Sequence, residues 1–362
     1  MPSFSLSSLF LSSFGSSVGA GSWLSNDRYP RLLGDVNGDG TADIIGFGEA
    51  GTYVSLTSRG DWGPSFGPLN MATPAFGASI GTGGWSSDNK FPRRLGDING
   101  DGRADIVGFG SEGTYVALSN GDGTFGTETL ATAAFGFAEA SGGWVSNDRN
   151  PRMLADVNGD GRDDIVGFGN AGVYVSLSSA NGTFLAPTLA TTAFGADASA
   201  GGWSRNADYP RMLADMNHDD RADIIGFGNA GVYVSFATAD GTFADPFLAS
   251  EEFGLLDSAG GWSSNDMFPR MVASFDRDGI PDIIGFGNDG VFIALGRGDG
   301  TFLPAVHEMD DFGVMPGAGG WISNNATPRM VADLDGNGRD DIFGFAEDGV
   351  YVAVNWVSPW EY

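Results

Sequence analysis

The chain has 362 residues, with 46 Asp plus Glu, 18 Lys plus Arg, two His and no Cys, for a formal net charge of −28. Such an acidic excess excludes nucleic acid and anionic membrane surfaces as main partners, because both are bound through a basic face. Without cysteine there is no disulfide, thiolate metal site or thiol nucleophile, and two histidines are too few to repeat a His-based site around a multi-unit protein.

The N-terminal segment, residues 1–11, has a weak likeness to a signal peptide, but it lacks a basic start and serines interrupt its apolar run. The spacing from Phe4 to Phe14 equals that from Phe184 to Phe194, so we interpret the segment as part of the fold. No stretch approaches the ~18 consecutive apolar residues of a membrane helix. We therefore expect no membrane insertion, and either a cytoplasmic location or unconventional secretion.

A repeat runs through the whole chain. Each unit has a Phe nine positions before a Trp, and a Pro-Arg pair whose Arg lies eight positions after it. The tryptophans are Trp23, Trp85, Trp144, Trp203, Trp262 and Trp321, spaced by 62 residues and then by 59. The six units follow one another without a linker, which predicts a single domain over residues 1–362.

The third unit shows the predicted strands most clearly. Residues 151–157 and 165–169 are predicted as two short strands, and residues 173–177 as a third strand rich in β-branched and aromatic residues. A less regular fourth strand is predicted over residues 184–192. Gly, Asn and Asp separate these segments, and no stretch has a sustained 3.6-residue period. Four such strands per unit predict an all-β fold, a six-bladed β-propeller of four-stranded antiparallel blades.

The two ends of the chain complement each other. The N-terminus begins at the fourth strand of a unit, and the C-terminus stops just after a third strand. Residues 2–12 are therefore predicted to complete the blade formed by residues 328–356. Such closure hides sheet edges that an open array would leave exposed.

An acidic loop lies between the first and second strand of each unit. Five copies have the pattern Asp-x-[Asn/Asp]-x-[Asp/Asn]-x-x-x-Asp, and the fifth unit has Ser274 at the first position. Short oxygen-bearing side chains at this spacing suit Ca²⁺, which prefers six to eight oxygen ligands. The alternative is that these are Asx-rich turns that need no metal. We predict structural calcium, which fastens the loop and does no chemistry.

The predicted metal ligands are Asp35, Asn37, Asp39, Asp43, Asp97, Asn99, Asp101, Asp105, Asp156, Asn158, Asp160, Asp164, Asp215, Asn217, Asp219, Asp223, Asp276, Asp278, Asp282, Asp333, Asp335, Asn337 and Asp341.

The segment Gly-Gly-Trp-x-Ser-Asn-Asp-x-x-Pro-Arg connects one unit to the next. In a propeller this connection lies over the groove between neighbouring blades. An indole can cover the C–H face of a sugar while amides and arginines hydrogen-bond its hydroxyls. The alternative is that the Trp is a packing residue and the Arg pairs with a carboxylate of its own blade. The candidate sugar-binding residues are Trp23, Arg31, Trp85, Arg93, Trp144, Asn147, Arg152, Trp203, Arg211, Trp262, Asn265, Arg270, Trp321 and Arg329.

Together these motifs resemble a known family. Asp-Val-Asn-Gly-Asp-Gly-Arg-x-Asp-Ile-Val-Gly-Phe-Gly, followed by Gly-Val-Tyr-Val-Ser-Leu, is similar to the FG-GAP/VCBS repeats of integrin-like propellers. With the Gly-Gly-Trp…Arg connection added, the chain resembles the Psathyrella velutina lectin family from Phe4 to Val354. The resemblance implies sugar pockets between consecutive blades, Ca²⁺ in some Asp loops, and recognition of N-acetylglucosamine, sialic acid or fucose type glycans.

The resulting prediction is a non-enzymatic, multivalent lectin whose partners are glycans or glycoproteins. The runner-up is an integrin-like adhesion propeller that binds a protein surface. A propeller hydrolase or lyase is disfavoured, because no single unit has an added His, Glu or Tyr cluster. The sequence leaves the sugar, the number of occupied pockets and the oligomeric state open.

Overall fold

The computed structural model describes residues 4–60 and 63–356, and over these ranges the chain forms six four-stranded antiparallel sheets arranged as blades. The all-β, six-bladed prediction is confirmed. The first blade contains β2 (Arg31–Gly34), β3 (Asp43–Phe47), β4 (Thr52–Ser55) and β7 (Asn70–Thr73). The second contains β8 (Arg93–Gly96), β9 (Asp105–Phe109), β10 (Thr114–Ala117) and β11 (Thr129–Thr132). The third contains β12 (Arg152–Ala155), β13 (Asp164–Phe168), β14 (Val173–Ser176) and β17 (Thr188–Thr191).

The fourth blade contains β18 (Arg211–Ala214), β19 (Asp223–Phe227), β20 (Val232–Ser235) and β21 (Phe247–Ser250). The fifth contains β22 (Arg270–Ala273), β23 (Asp282–Phe286), β24 (Val291–Ala294) and β25 (Val306–Met309). The sixth contains β26 (Arg329–Ala332), β27 (Asp341–Phe345), β28 (Val350–Ala353) and β1 (Ser8–Leu11). Two small hairpins are added, β5 (Thr57–Gly60) with β6 (Gly63–Phe66) and β15 (Ser178–Ser179) with β16 (Thr183–Phe184).

Each connection between blades contains one 3₁₀ turn: Val18–Ala20, Ile80–Thr82, Glu139–Ser141, Ala198–Ala200, Asp257–Ala259 and Pro316–Ala318. Within the described ranges, no helix is long and apolar enough to cross a membrane.

The N-terminal strand closes the ring as predicted. β1 pairs antiparallel with β28, and the Ser5 amide donates to the Val354 carbonyl at 2.8 Å. Pairing extends to a bridge between Phe4 and Asn355. Residues 2 and 3 of the predicted closing segment lie outside the described residues. The last blade is thereby built from both ends of the chain.

The core lies between adjacent blades. The second strand of every blade is buried along its full length, as in β13. Val166 and Phe168 of the third blade share one apolar cluster with Ile224 of the fourth. Because Phe345 of the sixth blade packs in the same way with Ile44 of the first, the ring is closed by side chains as well as by β1.

The turns separate into two faces, because alternate turns of an antiparallel blade lie at opposite ends. One end carries the connections together with the turns between second and third strands, such as residues 169–172, and we call it the junction face. The other end carries the Asp loops, such as residues 156–163, and we call it the loop face. The two classes of predicted site therefore lie on opposite faces of the ring.

Candidate functional site

A glycine in each second strand forms the floor of the junction face. A Cβ at Gly167 would lie 2.6 Å from Cε1 of Phe135 and 2.6 Å from Cη2 of Trp144. Both rings therefore rest directly on the strand backbone, which tolerates no side chain there. Phe135 is 1% exposed and adopts a φ of 59°, in the left-handed region, which turns the chain into the connection.

The tryptophans are wedged among other aromatic rings. The ring centroids of Trp144 and Phe135 are 5.1 Å apart, and those of Trp144 and Tyr174 are 6.3 Å apart at 88°. Trp23, Trp85 and Trp321 are buried, whereas Trp144, Trp203 and Trp262 are partly exposed. The tryptophans are therefore packing residues, as the alternative interpretation held, but in the third to fifth blades part of the indole is also exposed.

A cavity lies beside four of these tryptophans. The cavity at Trp144 measures about 440 Å³ and is lined by the connection, by Tyr174 and by the turn residues Gly169 to Ala171. Similar cavities of about 370, 320 and 480 Å³ lie at Trp23, Trp203 and Trp262. These volumes fall in the range of small-molecule sites, which is about 300–1,000 Å³. An indole edge, small side chains and a few polar groups make a wall suited to a pyranose ring.

The residue before the proline of each Pro-Arg pair lines all four cavities. It was not identified as a site residue from the sequence. In the first blade it is Tyr29, whose hydroxyl donates to Oε2 of Glu49 at 2.8 Å. In the third it is Asn150, whose Nδ2 donates to the Phe168 carbonyl at 3.1 Å. Its variation within an otherwise repeated motif could have identified this position from the sequence. The residues in the six copies are Tyr29, Phe91, Asn150, Tyr209, Phe268 and Thr327.

The six predicted arginines lie inside the blades. Arg152 is 0% exposed, its Nη1 donates to the Phe135 carbonyl at 3.1 Å, and its guanidinium lies 5.5 Å from the ring centroid of Phe109 in the preceding blade. Burial lowers the pKa of Arg152 to about 9, which leaves the side chain protonated at neutral pH. Arg31, Arg93, Arg211, Arg270 and Arg329 are buried equivalently. This placement argues against a direct sugar contact by the arginines, and indicates that they brace the connection.

The predicted asparagines lie close to the axis. Oδ1 of Asn147 accepts the Arg152 amide at 3.1 Å, and the Asn147 amide donates to the Asn89 carbonyl of the previous connection at 2.5 Å. Asn265 is placed in the same way, with Oδ1 3.1 Å from the Arg270 amide. Both line a polar depression of about 310 Å³ formed by all six connections. The lining of the Trp144 cavity includes neither Asn147 nor Arg152.

On the loop face, the ninth-position aspartate of each loop is buried. Asp164 is 0% exposed, and its two oxygens accept the amides of Val157 at 3.3 Å and Ser178 at 2.7 Å. Burial raises the pKa of Asp164 to about 7. The same pair of contacts is made by Asp43, Asp105, Asp223, Asp282 and Asp341. This carboxylate fastens the loop to the end of the third strand.

The first- and fifth-position aspartates are also engaged by the protein itself. Asp156 accepts the amides of Gly159 and Gly161, each at 2.7 Å, and Oδ2 of Asp160 pairs with Nη2 of Arg162 at 2.5 Å. An arginine at the same position pairs with the fifth-position carboxylate in the second and fourth loops. In the fifth loop, the Asp278 amide donates to Asp276 at 3.2 Å.

The sixth loop differs. Carboxylate oxygens of Asp333, Asp335 and Asp341 all lie within 4.8 Å of one another, the one such group within residues 4–60 and 63–356. Arg339, at the position of Arg162, instead donates to the Phe275 carbonyl at 3.2 Å. Burial raises the pKa of Asp335, and the neighbouring charge of Asp333 adds to the effect. By donor type and convergence, these residues fit a hard divalent cation better than the other predicted ligands do.

Comparisons with known proteins agree with this architecture. The FG-GAP-like repeat family matches residues 156–226 and 275–353, and both segments start in an Asp loop. The chain is similar to a solved Agrocybe aegerita lectin, with 40% identity over 94% of this chain and 80% of that chain and a TM-score of 0.73. That structure concerns specific recognition of non-reducing terminal N-acetylglucosamine by the lectin.

A more distant likeness shows the fold alone. A structure of the Photorhabdus luminescens Tc holotoxin pore matches 97% of this chain with 14% of its own chain, at 16% identity and a TM-score of 0.62. The search of curated proteins gives no match to the sequence.

Proposed function

Because the chain belongs to the Psathyrella velutina-like family of β-propeller lectins, which includes the Agrocybe aegerita protein, we propose that it is a non-enzymatic lectin with sugar pockets at its blade junctions. The observation that carries the proposal is the cavity beside Trp144, where an indole, a tyrosine and two asparagines converge. Its repetition at three further junctions supports multivalent binding rather than a single catalytic site.

The lining of the Trp144 cavity favours an N-acetylated neutral sugar. Ala140, Ala171 and Pro187 are apolar residues of this lining, and apolar groups of this size suit the methyl of an acetamido group. Asn150 and Asn170 supply amide groups for hydroxyls. The net charge of −28 disfavours sialic acid, because like charges repel. We therefore infer terminal N-acetylglucosamine as the preferred ligand, in line with the relative's specificity.

Several weak pockets on one rigid ring bind tightly to a surface that displays many copies of the sugar. Affinities near a millimolar per pocket correspond to about −4 kcal/mol each. Simultaneous engagement of a second pocket becomes intramolecular, so avidity raises the overall affinity by about 10²–10⁴. Glycoproteins with clustered terminal sugars are the expected partners.

We also propose that structural Ca²⁺ is held by the sixth loop. Asp333, Asp335 and Asp341 would supply carboxylate oxygens, and the bound ion would offset their mutual repulsion. The second to fourth loops already pair their fifth-position carboxylate with an arginine, so we expect weaker binding there.

A glycan array followed by calorimetric titration with N-acetylglucosamine tests the proposed function. We expect binding to glycans with that terminal sugar, and Trp144→Ala should lower the number of sites per chain. Trp356→Ala is the matched control, because this tryptophan is 42% exposed and lies outside the repeated connections. An array on which no glycan binds, with or without calcium, would contradict the proposal and favour a protein-binding adhesion propeller.

A further inference from the structure

The six junctions differ at two positions, whose side chains are in contact at the Trp85 junction. One is the residue before the proline, and the other follows the Phe-Gly pair of the next connection. At Trp85 these residues are Phe91 and Phe137, whereas at Trp144 they are Asn150 and Ala196. The scaffold around them is the same, since the amides of Phe137 and Ala196 donate to equivalent turn carbonyls, Gly110 at 2.9 Å and Gly169 at 3.0 Å.

At the Trp85 junction, aromatic rings cover the pre-proline side chain. Phe91 lies 6.2 Å from Trp85, and Phe137 lies 5.8 Å from Phe91 at 63°, measured between ring centroids. Nζ of Lys90 lies 4.1 Å from the Phe137 centroid and 4.8 Å from that of Phe91. The cation–π contacts and the edge-to-face packing hold Phe137 in place.

At the Trp144 junction the same two positions leave space. Asn150 is 5% exposed, and its Nδ2 lies 3.1 Å from the Phe168 carbonyl and 3.3 Å from Oδ1 of Asn170. Nε of Arg149 donates to the same Oδ1 at 3.1 Å, which fixes the Asn170 amide. Ala196 has only a methyl where Phe137 has a phenyl ring. The cavity of about 440 Å³ at this junction is lined by Asn150 and Asn170.

We propose that the junctions are unequal sugar sites, in which Phe137 closes the Trp85 junction over Phe91 and the Asn150–Ala196 pair opens the Trp144 junction. The inference rests on the proposed lectin function and adds the residues that decide which junctions bind. The pre-proline residue lines each of the four cavities, so a ring packed edge-to-face against it would occupy the place where the sugar would lie. Residues at these two positions are specificity-determining, while the glycine floor and the buried arginine hold the junction in shape.

Fluorine NMR of the protein labelled with 5-fluorotryptophan tests the inference one junction at a time. Single Trp→Phe variants assign the signals, and N-acetylglucosamine is the titrated probe, with galactose as the control sugar. In the wild-type protein the Trp144 signal should shift. The Trp85 signal should stay fixed at concentrations about tenfold above the Trp144 midpoint, which corresponds to a site about a hundredfold weaker or no site.

Two reciprocal substitutions should close the Trp144 junction and open the Trp85 junction. Ala196→Phe should weaken binding at Trp144 by about tenfold or more while the Trp203 response is unchanged. Phe137→Ala should make the Trp85 signal respond to the sugar, whereas Phe137→Tyr, which keeps the ring, should not. If Phe137→Ala does not fold, Ala196→Phe decides alone: Ala196 is 5% exposed, but the equivalent position of the preceding connection already holds the ring of Phe137 on the same backbone frame.

The outcomes separate the two claims. Equal responses of Trp85 and Trp144 in the wild-type protein, or an unaffected Trp144 midpoint in Ala196→Phe, overturn the inference and leave the lectin function standing. If no tryptophan signal responds to N-acetylglucosamine or to any glycan retained on the array, the proposed function fails and the inference fails with it.

Discussion

The two faces of the ring use repetition differently. On the loop face, each blade has the same buried ninth-position aspartate, with both carboxylate oxygens bound to backbone amides, as at Asp164. On the junction face, the glycine floor and the buried arginine repeat, but the residue before the proline changes from Tyr29 to Asn150 to Thr327. Residues that are the same in every unit stabilise the fold, whereas the residue that differs between units changes the shape of the cavity.

This comparison also explains the acidic composition. The loop aspartates satisfy backbone amides in turns that are too tight for regular pairing, so they are structural before any cation is considered. The second to fourth loops also pair the fifth-position carboxylate with an arginine, whereas Arg339 of the sixth loop donates to the Phe275 carbonyl. A departure from a repeated contact therefore indicates where a ligand is to be sought on either face.

The largest effect is expected on the loop face. Asp164→Ala leaves the amides of Val157 and Ser178 buried without acceptors, and it should lower the free energy of unfolding by about 3 kcal/mol or more. Asp160→Ala is the control, since this side chain is 31% exposed and should cost about 1 kcal/mol or less. Urea denaturation measures both. If both variants lose the same free energy of unfolding, the proposed difference between buried and exposed loop carboxylates is wrong.

A smaller loss is expected at the floor of the junction face. Gly167→Ala places a methyl 2.6 Å from Phe135 and Trp144, and it should lower the free energy of unfolding by about 1–3 kcal/mol. The same change should weaken sugar binding at Trp144, because the indole must shift. Gly161→Ser is a useful contrast, since a Cβ there meets open space and only the φ of 80° is unfavourable. Retained binding and stability in Gly167→Ala would contradict the proposed role of the glycine.

The smallest effect concerns calcium. Addition of Ca²⁺ after chelation should raise the melting temperature by about one or two degrees, because a ligand that binds the folded state stabilises it by mass action. Asp335→Asn in the sixth loop should remove most of this shift. Asp101→Asn, in a loop whose carboxylate already pairs with Arg103, should keep it. A melting temperature that does not respond to calcium in the wild-type protein rules the proposal out.

Much of the fold could be predicted from the sequence because local signals coincide in every unit. The turn residues and the alternation of short β-rich segments predicted the blades, and the offset of the termini predicted that β1 would pair with β28. The fourth strand of the third unit was less well placed. It was predicted over residues 184–192 and forms at Thr188–Thr191, because residues 178–184 pair with each other in a small hairpin.

The site was only partly predictable, since its geometry depends on contacts between blades. The tryptophans were identified, and cavities lie beside four of them. The burial of Arg152 against Phe109 of the previous blade has no local signature, because an arginine after a proline reads equally well as an exposed ligand. Asn150 was overlooked because it breaks the motif, although that break is what changes the cavity.

The most direct test of the central claim, that sugars bind at the blade junctions, is a crystal structure of the protein with N-acetylglucosamine. We expect sugar density in the cavity beside Trp144, in contact with Asn150 and the turn at residues 169–171, and none at Trp85. Density confined to the axial depression lined by Asn147 and Asn265, or no density at saturating sugar, would contradict it.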